Sequence, residues 1–584
     1  MTQSTATAFW PFALLLLVCA ASQARADCLV TIAQGAARGS VMTSLHGRDF
    51  CSYRGIPFAE PPVGELRFRA PVPAGAWEGE LNATVDGSQC PQGYVSFYTD
   101  NEDCLYLNVY TPQPTAGELL PVMVFIFGGS FTSGDNKAGN YGPHYLLDKD
   151  IVLVTINYRL SVLGFLSTGD DAAPGNFGLK DQAEALRWVQ KNIAAFGGDA
   201  SKVTIFGESA GGMSVHFHVL SPLSKGLFHA AIAESGSALM PLFFRTEGEL
   251  SKAQRMAQAV GCPTDNSEEL VACLRTRDVK TILTNQPSDV ITAISLCLMQ
   301  YDIVWRPVSE VKTAANPEPF LTTQPKDIIR SGDFNRVPFV LGTNSEEGSL
   351  FLFPFVATDK GIDYFNSFFE DMGRITLFLN ESVPEDRISE TWRKVTDFYL
   401  GNDSVISPAN VHNIINAATD RFMQHNIQKS VELHLQSGHD SVYLYNLGYR
   451  GKFSLLPKAR YGNTRYDLGV LHADELEFIL SSGFTTDRWE PEHPDLETVD
   501  AFVTLWTNIA THGNPTPDTE TPPQGVVWPT AGANKDAVTY YVLDHAPPPA
   551  EPIYGVRPLR ISVVPDKFKD RIDFWDSLPL KENQ

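Results

Sequence analysis

Two segments of the chain, residues 122–127 and 151–156, form continuous apolar runs rather than alternating ones. A strand of this kind is covered on both faces, as in a parallel sheet packed between layers of helices. The pattern therefore predicts a mostly parallel central sheet. Its strands are expected at residues 122–127, 151–156, 203–206, 337–341 and 442–445.

A helical pattern separates the second and third of these predicted strands, and a glycine pair at 197–198 ends it. The apolar residues at helical spacing are Leu179, Ala183, Leu186, Val189 and Ile193. Another helix is expected to open at residues 213–216, so the chain runs strand, tight turn, helix from about residue 203. This alternation predicts an α/β protein whose sheet is flanked by helices.

The rest of the chain is interpreted as one edge and two insertions. Short β-like runs at 29–32 and 39–42, separated by glycine-containing turns, predict an antiparallel N-terminal edge. Residues 246–326 and 357–436 are predicted to be helical insertions that shape a pocket over the sheet. No linker or internal repeat divides the chain, so residues 27–584 are expected to form a single domain.

An apolar run at residues 9–18 is followed by small residues and by Ala24, Arg25 and Ala26. The run is too short to span a bilayer, so residues 1–26 are predicted to be a signal peptide cut after Ala26. No later stretch approaches the roughly 20 apolar residues of a membrane span, and the C-terminus carries neither an anchor signal nor a retention signal. We therefore expect a secreted, extracellular protein without a membrane anchor.

One of the eight cysteines lies in the predicted signal, which leaves an odd number in an oxidising compartment. Close spacing predicts two loop-closing disulfides, Cys90–Cys104 and Cys262–Cys273. Cys28 and Cys51 are placed to join neighbouring N-terminal strands. Cys297, in an apolar segment, then remains as a buried, unpaired thiol.

The glycosylation triplets and the net charge indicate which molecules the surface of the protein can bind. Three Asn-X-Ser/Thr triplets, at Asn82, Asn380 and Asn402, predict N-glycosylation. The formal net charge of −23 repels phosphate backbones, and there is no Lys/Arg cluster, so a nucleic-acid partner is not expected. The acidic surface is interpreted mainly as a source of solubility.

Residues 207–211 read Gly-Glu-Ser-Ala-Gly at the predicted strand-turn-helix. A serine hydroxyl is a poor nucleophile at neutral pH, so a serine hydrolase exposes it beside a general base and near N–H donors. Glycines on both sides leave room for a sharp turn that places Ser209 at a helix N-terminus. The five-residue pattern also arises by chance, but the strand before it and the helix after it favour a nucleophile.

A second motif, Phe-Gly-Gly-Ser-Phe at residues 127–131, directly follows an apolar strand. An ordinary Gly-Gly turn is the alternative interpretation. However, the motif lies one strand-helix unit before the serine turn, which is where an oxyanion loop is required. No cofactor or metal ion is required by this chemistry. His216 and His218 are two residues apart and point to different helix faces, which argues against a metal pair. These patterns alone do not choose the base or the acid.

These motifs, with others along the chain, resemble the type-B carboxylesterases of the cholinesterase-like family, within the α/β-hydrolases. The resemblance covers nearly the whole mature chain and implies an α/β-hydrolase fold and carboxylic ester hydrolysis. The matching segments are residues 53–59, 102–108, 157–160, 175–182, 206–212, 234–238, 342–348 and 469–475.

The resemblance implies that Ser209 works with Glu347 as the acid and His472 as the base, in the chain order Ser, Glu, His. Glu346 is the adjacent alternative acid. Ser235, in the matching Glu-Ser-Gly motif, is expected to hydrogen-bond near the catalytic acid, with an ordinary buried serine as the alternative.

The same resemblance implies that the oxyanion donors are the backbone N–H groups of Gly129, Ser130 and Ala210. Ser130 departs from the usual Gly or Ala of the family. A serine keeps its N–H, so activity is expected, but its side chain narrows the acyl side of the pocket or adds a hydroxyl.

Choline esterases similar to this chain place a Trp between the first disulfide cysteines as a cation–π floor. Here that loop offers Tyr94, Phe97 and Tyr98 instead, and Leu350 stands where an aromatic residue is common. We therefore expect an apolar or amphipathic small-molecule ester, such as a hormone, pheromone, dietary or xenobiotic ester, rather than acetylcholine. A non-catalytic binding protein is disfavoured because the implied triad is complete. An enzyme acting on amides or lipids remains open.

Overall fold

A computed structural model describes residues 28–583 except 93–98, 113–116, 242, 245–248, 287–304, 402, 404, 453, 455–466, 483–492 and 546–556. Eleven of its fourteen strands form one sheet, in the order β14-β13-β12-β11-β10-β9-β7-β8-β6-β4-β3. The strands are β1 Leu29–Ile32, β2 Gly35–Arg38, β3 Ser40–Thr43, β4 Asp49–Pro57, β5 Glu80–Asn82, β6 Tyr106–Thr111, β7 Leu120–Ile126, β8 Val152–Ile156, β9 Gly198–Glu208, β10 Ala230–Glu234, β11 Phe339–Asn344, β12 Val442–Leu447, β13 Thr539–His545 and β14 Leu559–Pro565.

The predicted parallel core is confirmed. Strands β8, β7, β9, β10, β11, β12 and β13 pair in parallel. Every residue of β7 and β8 is buried, as their unbroken apolar sequences require. Strand β9 is longer than predicted and ends at Glu208, so the nucleophile motif starts on the strand itself.

The α-helices are α1 Ser161–Phe165, α2 Phe177–Asn192, α3 Ala210–Leu220, α4 Glu249–Ala259, α5 Ser267–Thr276, α6 Val279–Thr284, α7 Pro325–Ser331, α8 Ser349–Val356, α9 Asp359–Ser367, α10 Phe369–Thr376, α11 Leu379–Ser382, α12 Ile388–Leu400, α13 Val411–Thr419, α14 His425–Gln436, α15 Leu476–Ile479, α16 Asp495–His512 and α17 Lys569–Asp576. Helix α2 is the predicted crossover. A 3₁₀ turn extends it to Phe196, and Gly197 ends it with φ +80°.

The second predicted insertion is largely helical, whereas the first is helical only in part, because residues 305–324 form no helix. Helices α4 to α6 lie in the first, and α9 to α14 occupy the second. A π-helical turn at Asp420–Gln424 joins α13 to α14. Among the described residues, no helix combines the length and the apolar character that crossing a bilayer demands.

The N-terminal edge is more complex than its sequence pattern predicts. Strand β3 pairs antiparallel with β4 at the edge of the large sheet, as expected. Strand β1 instead belongs to a separate three-stranded sheet, β1-β2-β5. Strand β1 pairs with β2, and β2 pairs with β5, which lies more than 40 residues further along the chain. The sequence pattern misses this sheet because local alternation carries no information on distant pairing.

The described residues contain three disulfides, Cys28–Cys51, Cys90–Cys104 and Cys262–Cys273. These are the pairs that the sequence suggested. Because Cys28 adjoins β1 and Cys51 lies in β4, the first disulfide joins the small sheet to the large one. Cys297, Asn402 and the predicted signal peptide lie outside the described residues.

Candidate active site

Ser209 lies in the tight turn between β9 and α3, with φ 57° and ψ −122°. A non-glycine residue rarely adopts such a conformation, and surrounding packing must hold it there. The packing is close because glycines flank the turn. A Cβ atom added at Gly207 or Gly211 would lie 2.4 Å or 1.9 Å from the carbonyl oxygen of Ile126. Gly207 is therefore required where β9 lies beside β7, and Gly211 is required for α3 to pack against β7.

Replacing Gly211 with alanine should unfold or severely distort this turn. The added methyl would overlap a backbone oxygen that has no room to move, so we expect a loss of about 3 kcal/mol or more. Urea unfolding of the purified protein measures the loss. Gly139→Ala is the matched control, because nothing lies within 4 Å of its added Cβ. Equal unfolding midpoints for the two variants would contradict this account of the turn.

The glycine loop after β7 lies against the serine turn. A Cβ at Gly128 would be 2.9 Å from the Cβ of Ser209. Gly129 has φ +107°, and a Cβ there would be 2.1 Å from the carbonyl oxygen of Ser133, so only glycine fits. Ser130 follows with φ 57°. Within the described chain, the N–H groups of Gly129, Ser130 and Ala210 donate to no other protein group, which leaves them available to an oxyanion.

Glu347 and His472 are joined directly. Glu347 lies just after β11 and is fully buried, and its Oε2 is 2.6 Å from His472 Nδ1. The backbone N–H of Asn344 donates to Glu347 Oε1 at 2.7 Å, and Ser235 Oγ donates to the same oxygen at 2.5 Å. Ser235 thus contacts the acid that the resemblance implied.

Glu346 serves a different segment. Its Oε2 accepts a hydrogen bond from Val470 N at 2.8 Å, and its own N–H donates to Val470 O at 3.0 Å. The two neighbouring glutamates therefore have separate contacts: one reaches the imidazole of His472, and the other holds the loop that carries His472. Burial raises the pKa of Glu346.

The structure also places a residue at His472 that sequence reasoning missed. Glu208 Oε1 lies 2.9 Å from His472 Nε2, an ion-pair contact too poorly aligned for a good hydrogen bond. No hydrogen bond joins Ser209 Oγ to His472 within the described chain. Burial opposes a charge on His472, but Glu208 and Glu347 outweigh it and raise the pKa of His472 well above its ordinary value. The only sequence signal for Glu208 was its place beside Ser209.

The other candidate histidines lie elsewhere. His216 Nε2 is 3.1 Å from His434 Nε2, whereas His218 contacts Gln182 Oε1 at 3.0 Å and Ser224 Oγ at 2.6 Å. The side chains of His216 and His218 therefore point to different partners. Across the described ranges, no group of three His, Cys, Asp or Glu side chains has an arrangement that would hold a metal ion.

Of the residues considered for specificity, Leu350 is half-buried at the start of α8, and Tyr94, Phe97 and Tyr98 lie outside the described residues. Phe131, directly after Ser130, is buried against Phe165, with ring centroids 5.0 Å apart. The side chain of Phe131 is therefore in apolar surroundings.

Comparison with known proteins shows the family of the chain. The model of the carboxylesterase family matches residues 26–551. The chain is 38% identical over 576 residues to juvenile hormone esterase of Tribolium castaneum, covering 95% of this chain and 94% of that protein. It is 35% identical over 558 residues to a carboxylic ester hydrolase of Bombus ignitus and 33% identical over 558 residues to venom carboxylesterase-6 of Apis mellifera, with 94% of each chain covered in both cases.

Proposed function

The chain belongs to the carboxylesterase family and is a carboxylic ester hydrolase, and on that premise we propose that Ser209, His472 and Glu347 are its catalytic triad. The observation that carries the proposal is the 2.6 Å contact between His472 Nδ1 and Glu347 Oε2. Ser209 itself is half-buried in its turn. A base oriented by a buried carboxylate is what activates a serine hydroxyl.

In this mechanism, Ser209 Oγ attacks the ester carbonyl carbon while His472 Nε2 takes the hydroxyl proton. Glu347 stabilises the imidazolium, and the N–H groups of Gly129, Ser130 and Ala210 stabilise the oxyanion. The imidazolium then protonates the leaving alcohol, and an acyl-enzyme remains. Water, deprotonated by His472, hydrolyses the acyl-enzyme and releases the carboxylic acid. His472 Nε2 must turn from Glu208 towards Ser209 for the first step, since it faces Glu208 at rest.

We place the protein outside the cell as a secreted glycoprotein, with residues 1–26 as its signal and 27–584 as one domain. Three disulfides support an oxidising compartment. Asn82 and Asn380 are exposed, so both are accessible to a glycan. Asn402 lies outside the described residues.

For the substrate, we propose apolar or amphipathic esters of the hormone, pheromone, dietary or xenobiotic kind. Support comes from the apolar surroundings of Phe131 and from relatives that are named for juvenile hormone and for venom. The absence of a Trp between Cys90 and Cys104 argues against a quaternary ammonium ester.

Covalent trapping tests the triad. The purified protein is treated with a fluorophosphonate, and the adduct is located by peptide mass spectrometry. We expect one adduct per chain, on Ser209, and none on a folded Ser209→Ala variant. Absence of any adduct on folded wild-type protein would support the rival binding-protein function, and an adduct on another serine would refute the assignment of Ser209.

An ester panel tests the substrate class. It varies acyl and alcohol size and includes choline esters and matched amides. We expect the highest kcat/KM for apolar esters. Turnover of choline esters or amides above that of all apolar esters would refute the proposed class.

A further inference from the structure

Two buried carboxyl groups share one hydroxyl next to the triad. Ser235 Oγ lies 2.5 Å from Glu347 Oε1 and 3.1 Å from Glu475 Oε1. Ser235, Glu347 and Glu475 are all fully buried. Glu475 immediately precedes α15, three residues after His472, so it lies on the loop that carries the proposed base.

Proton counting decides how this contact is arranged. A serine hydroxyl has one proton and can donate to one carboxyl group at a time. If both carboxyl groups were ionised, one of them would face the lone pairs of Ser235 across 3.1 Å, with no proton between them. A proton on one carboxyl group removes the conflict, because that group can then donate to Ser235.

The surroundings show which carboxyl group holds the proton. Glu347 accepts from three donors, namely the N–H of Asn344, the hydroxyl of Ser235 and the Nδ1–H of His472. All of its contacts are therefore satisfied only by an anion. Among the described residues, one group other than Ser235 donates to the carboxyl group of Glu475, namely Asn344 Nδ2, which contacts Oε2. The Oε1 atom can therefore carry a proton towards Ser235.

The charges around the pair act in the same direction. The titratable groups that face Glu475 are Glu208, Glu234, Glu347 and, through its hydroxyl, Tyr445. Burial first, and then the neighbouring carboxyl groups of Glu208, Glu347 and Glu234, raise the pKa of Glu475 well above its ordinary value, although the amide of Asn344 opposes the shift.

We propose that Glu475 is a positioning residue that stays protonated and donates to Ser235, so that Ser235 holds Glu347 as the anion that orients His472. The proposal rests on the triad of the proposed function and adds Ser235 and Glu475 to it as positioning residues. Asn344 ties the network to the His472 loop, because its amide contacts Glu475 and also donates to Leu471 O at 2.8 Å.

Glu475→Gln tests the protonation state. The amide can donate to Ser235 and accept from Asn344, as the protonated acid does, and it leaves the charge near His472 unchanged. We expect kcat/KM to fall by about tenfold because an amide is the weaker donor, while the acid limb of its pH profile shifts by less than about 0.3 unit. Removing an anion at this position would instead move that limb down by about 1 unit or more.

Two further variants calibrate this result. Glu208→Gln removes a charge 2.9 Å from His472 Nε2 and should lower the acid limb by about 1 unit, which shows that the assay detects a lost anion. Glu475→Leu keeps the volume but cannot donate, so kcat should fall by about 100-fold. A downward shift for Glu475→Gln as large as that for Glu208→Gln would overturn the proposal.

Infrared spectroscopy gives a readout that is independent of turnover. At neutral pH, the protonated carboxyl stretch of the wild type should lose intensity in Glu475→Gln and retain it in Glu346→Gln. An unchanged band in Glu475→Gln would refute a protonated Glu475, even if the protein were an active esterase. If fluorophosphonate failed to label the wild type, the proposed triad would be refuted, whereas the infrared evidence on the protonation of Glu475 would be unaffected.

Discussion

Replacing Glu347 with glutamine should lower kcat for ester hydrolysis by about 10⁴-fold. A neutral amide cannot stabilise the imidazolium that forms when His472 takes the serine proton. It can also present an N–H to His472 Nδ1, which would favour the wrong tautomer of the ring. Steady-state kinetics on an apolar ester, with folding checked by circular dichroism, measures the effect.

Glu346→Gln is the matched control, since it changes the adjacent residue by the same atoms. Its oxygen still accepts from Val470 N, so the His472 loop keeps its contact and kcat should fall by less than about tenfold. If Glu346→Gln lost as much activity as Glu347→Gln, the choice of Glu347 as the catalytic acid would be wrong.

The comparison of these two glutamates shows what the sequence could predict. The continuous apolar runs gave the parallel strands, and the strand-turn-helix placed Ser209 in its turn. Neither pattern distinguished Glu347 from Glu346, because neighbouring residues in a turn point in directions that only the folded backbone determines. That choice came from the family resemblance, and the contacts of the two side chains agree with it.

Long-range contacts account for most of what could not be predicted. Glu208 meets His472 across 264 residues of chain, and Glu475 meets Ser235 across 240. Spacing in the sequence contains no signal for such contacts. The same reason explains β1, whose place in a separate sheet depends on β2 and β5 rather than on its own alternation.

Acidification from pH 6.5 to 5.5 should remove up to about 3 kcal/mol of stability through three buried histidines, His216, His434 and His439. The three rings form one directed chain of contacts. The N–H of Ala238 donates to His216 Nδ1 at 3.2 Å, so His216 carries its proton on Nε2 and directs it at His434 Nε2, 3.1 Å away.

The remaining contacts continue the chain in the same direction. His434 then carries its proton on Nδ1, which faces His439 Nδ1 at 3.4 Å, and His439 Nε2 donates to Val337 O at 2.8 Å. Every ring is neutral in this arrangement. A second proton on His216 or His434 would point at a neighbour that already donates, so the folded protein resists protonation.

The sign of the pH dependence follows from these pKa values. Burial lowers the pKa of His216 to about 3, and burial first, then the neighbouring rings and Arg336, lower the pKa of His434. The pKa of His439 is also lowered by burial. Well above pH 6.5 the folded and unfolded chains are both neutral at these sites. As the pH falls through 6.5, only the unfolded chain takes up protons, so each histidine costs up to about 1 kcal/mol between pH 6.5 and 5.5.

Other groups titrate in the opposite sense, so the histidine effect is best measured as a difference. Burial raises the pKa of Glu234 to about 8, which stabilises the folded protein as the pH falls. His434→Gln removes one titrating ring and leaves Glu234 in place. Urea unfolding of this variant between pH 6.5 and 5.5 should show a loss of stability that is smaller than that of the wild type by about 1 kcal/mol.

His512→Gln is the control, because His512 is exposed at the end of α16. Its unfolding should follow the wild type at every pH. His434 lies between the other two rings, so its replacement also removes the contacts to His216 and His439. We therefore expect the variant to be less stable than the wild type at pH 7.5 and to have a weaker dependence of stability on pH. If the wild type and His434→Gln lost equal stability on acidification, the three rings would not resist protonation in the folded protein.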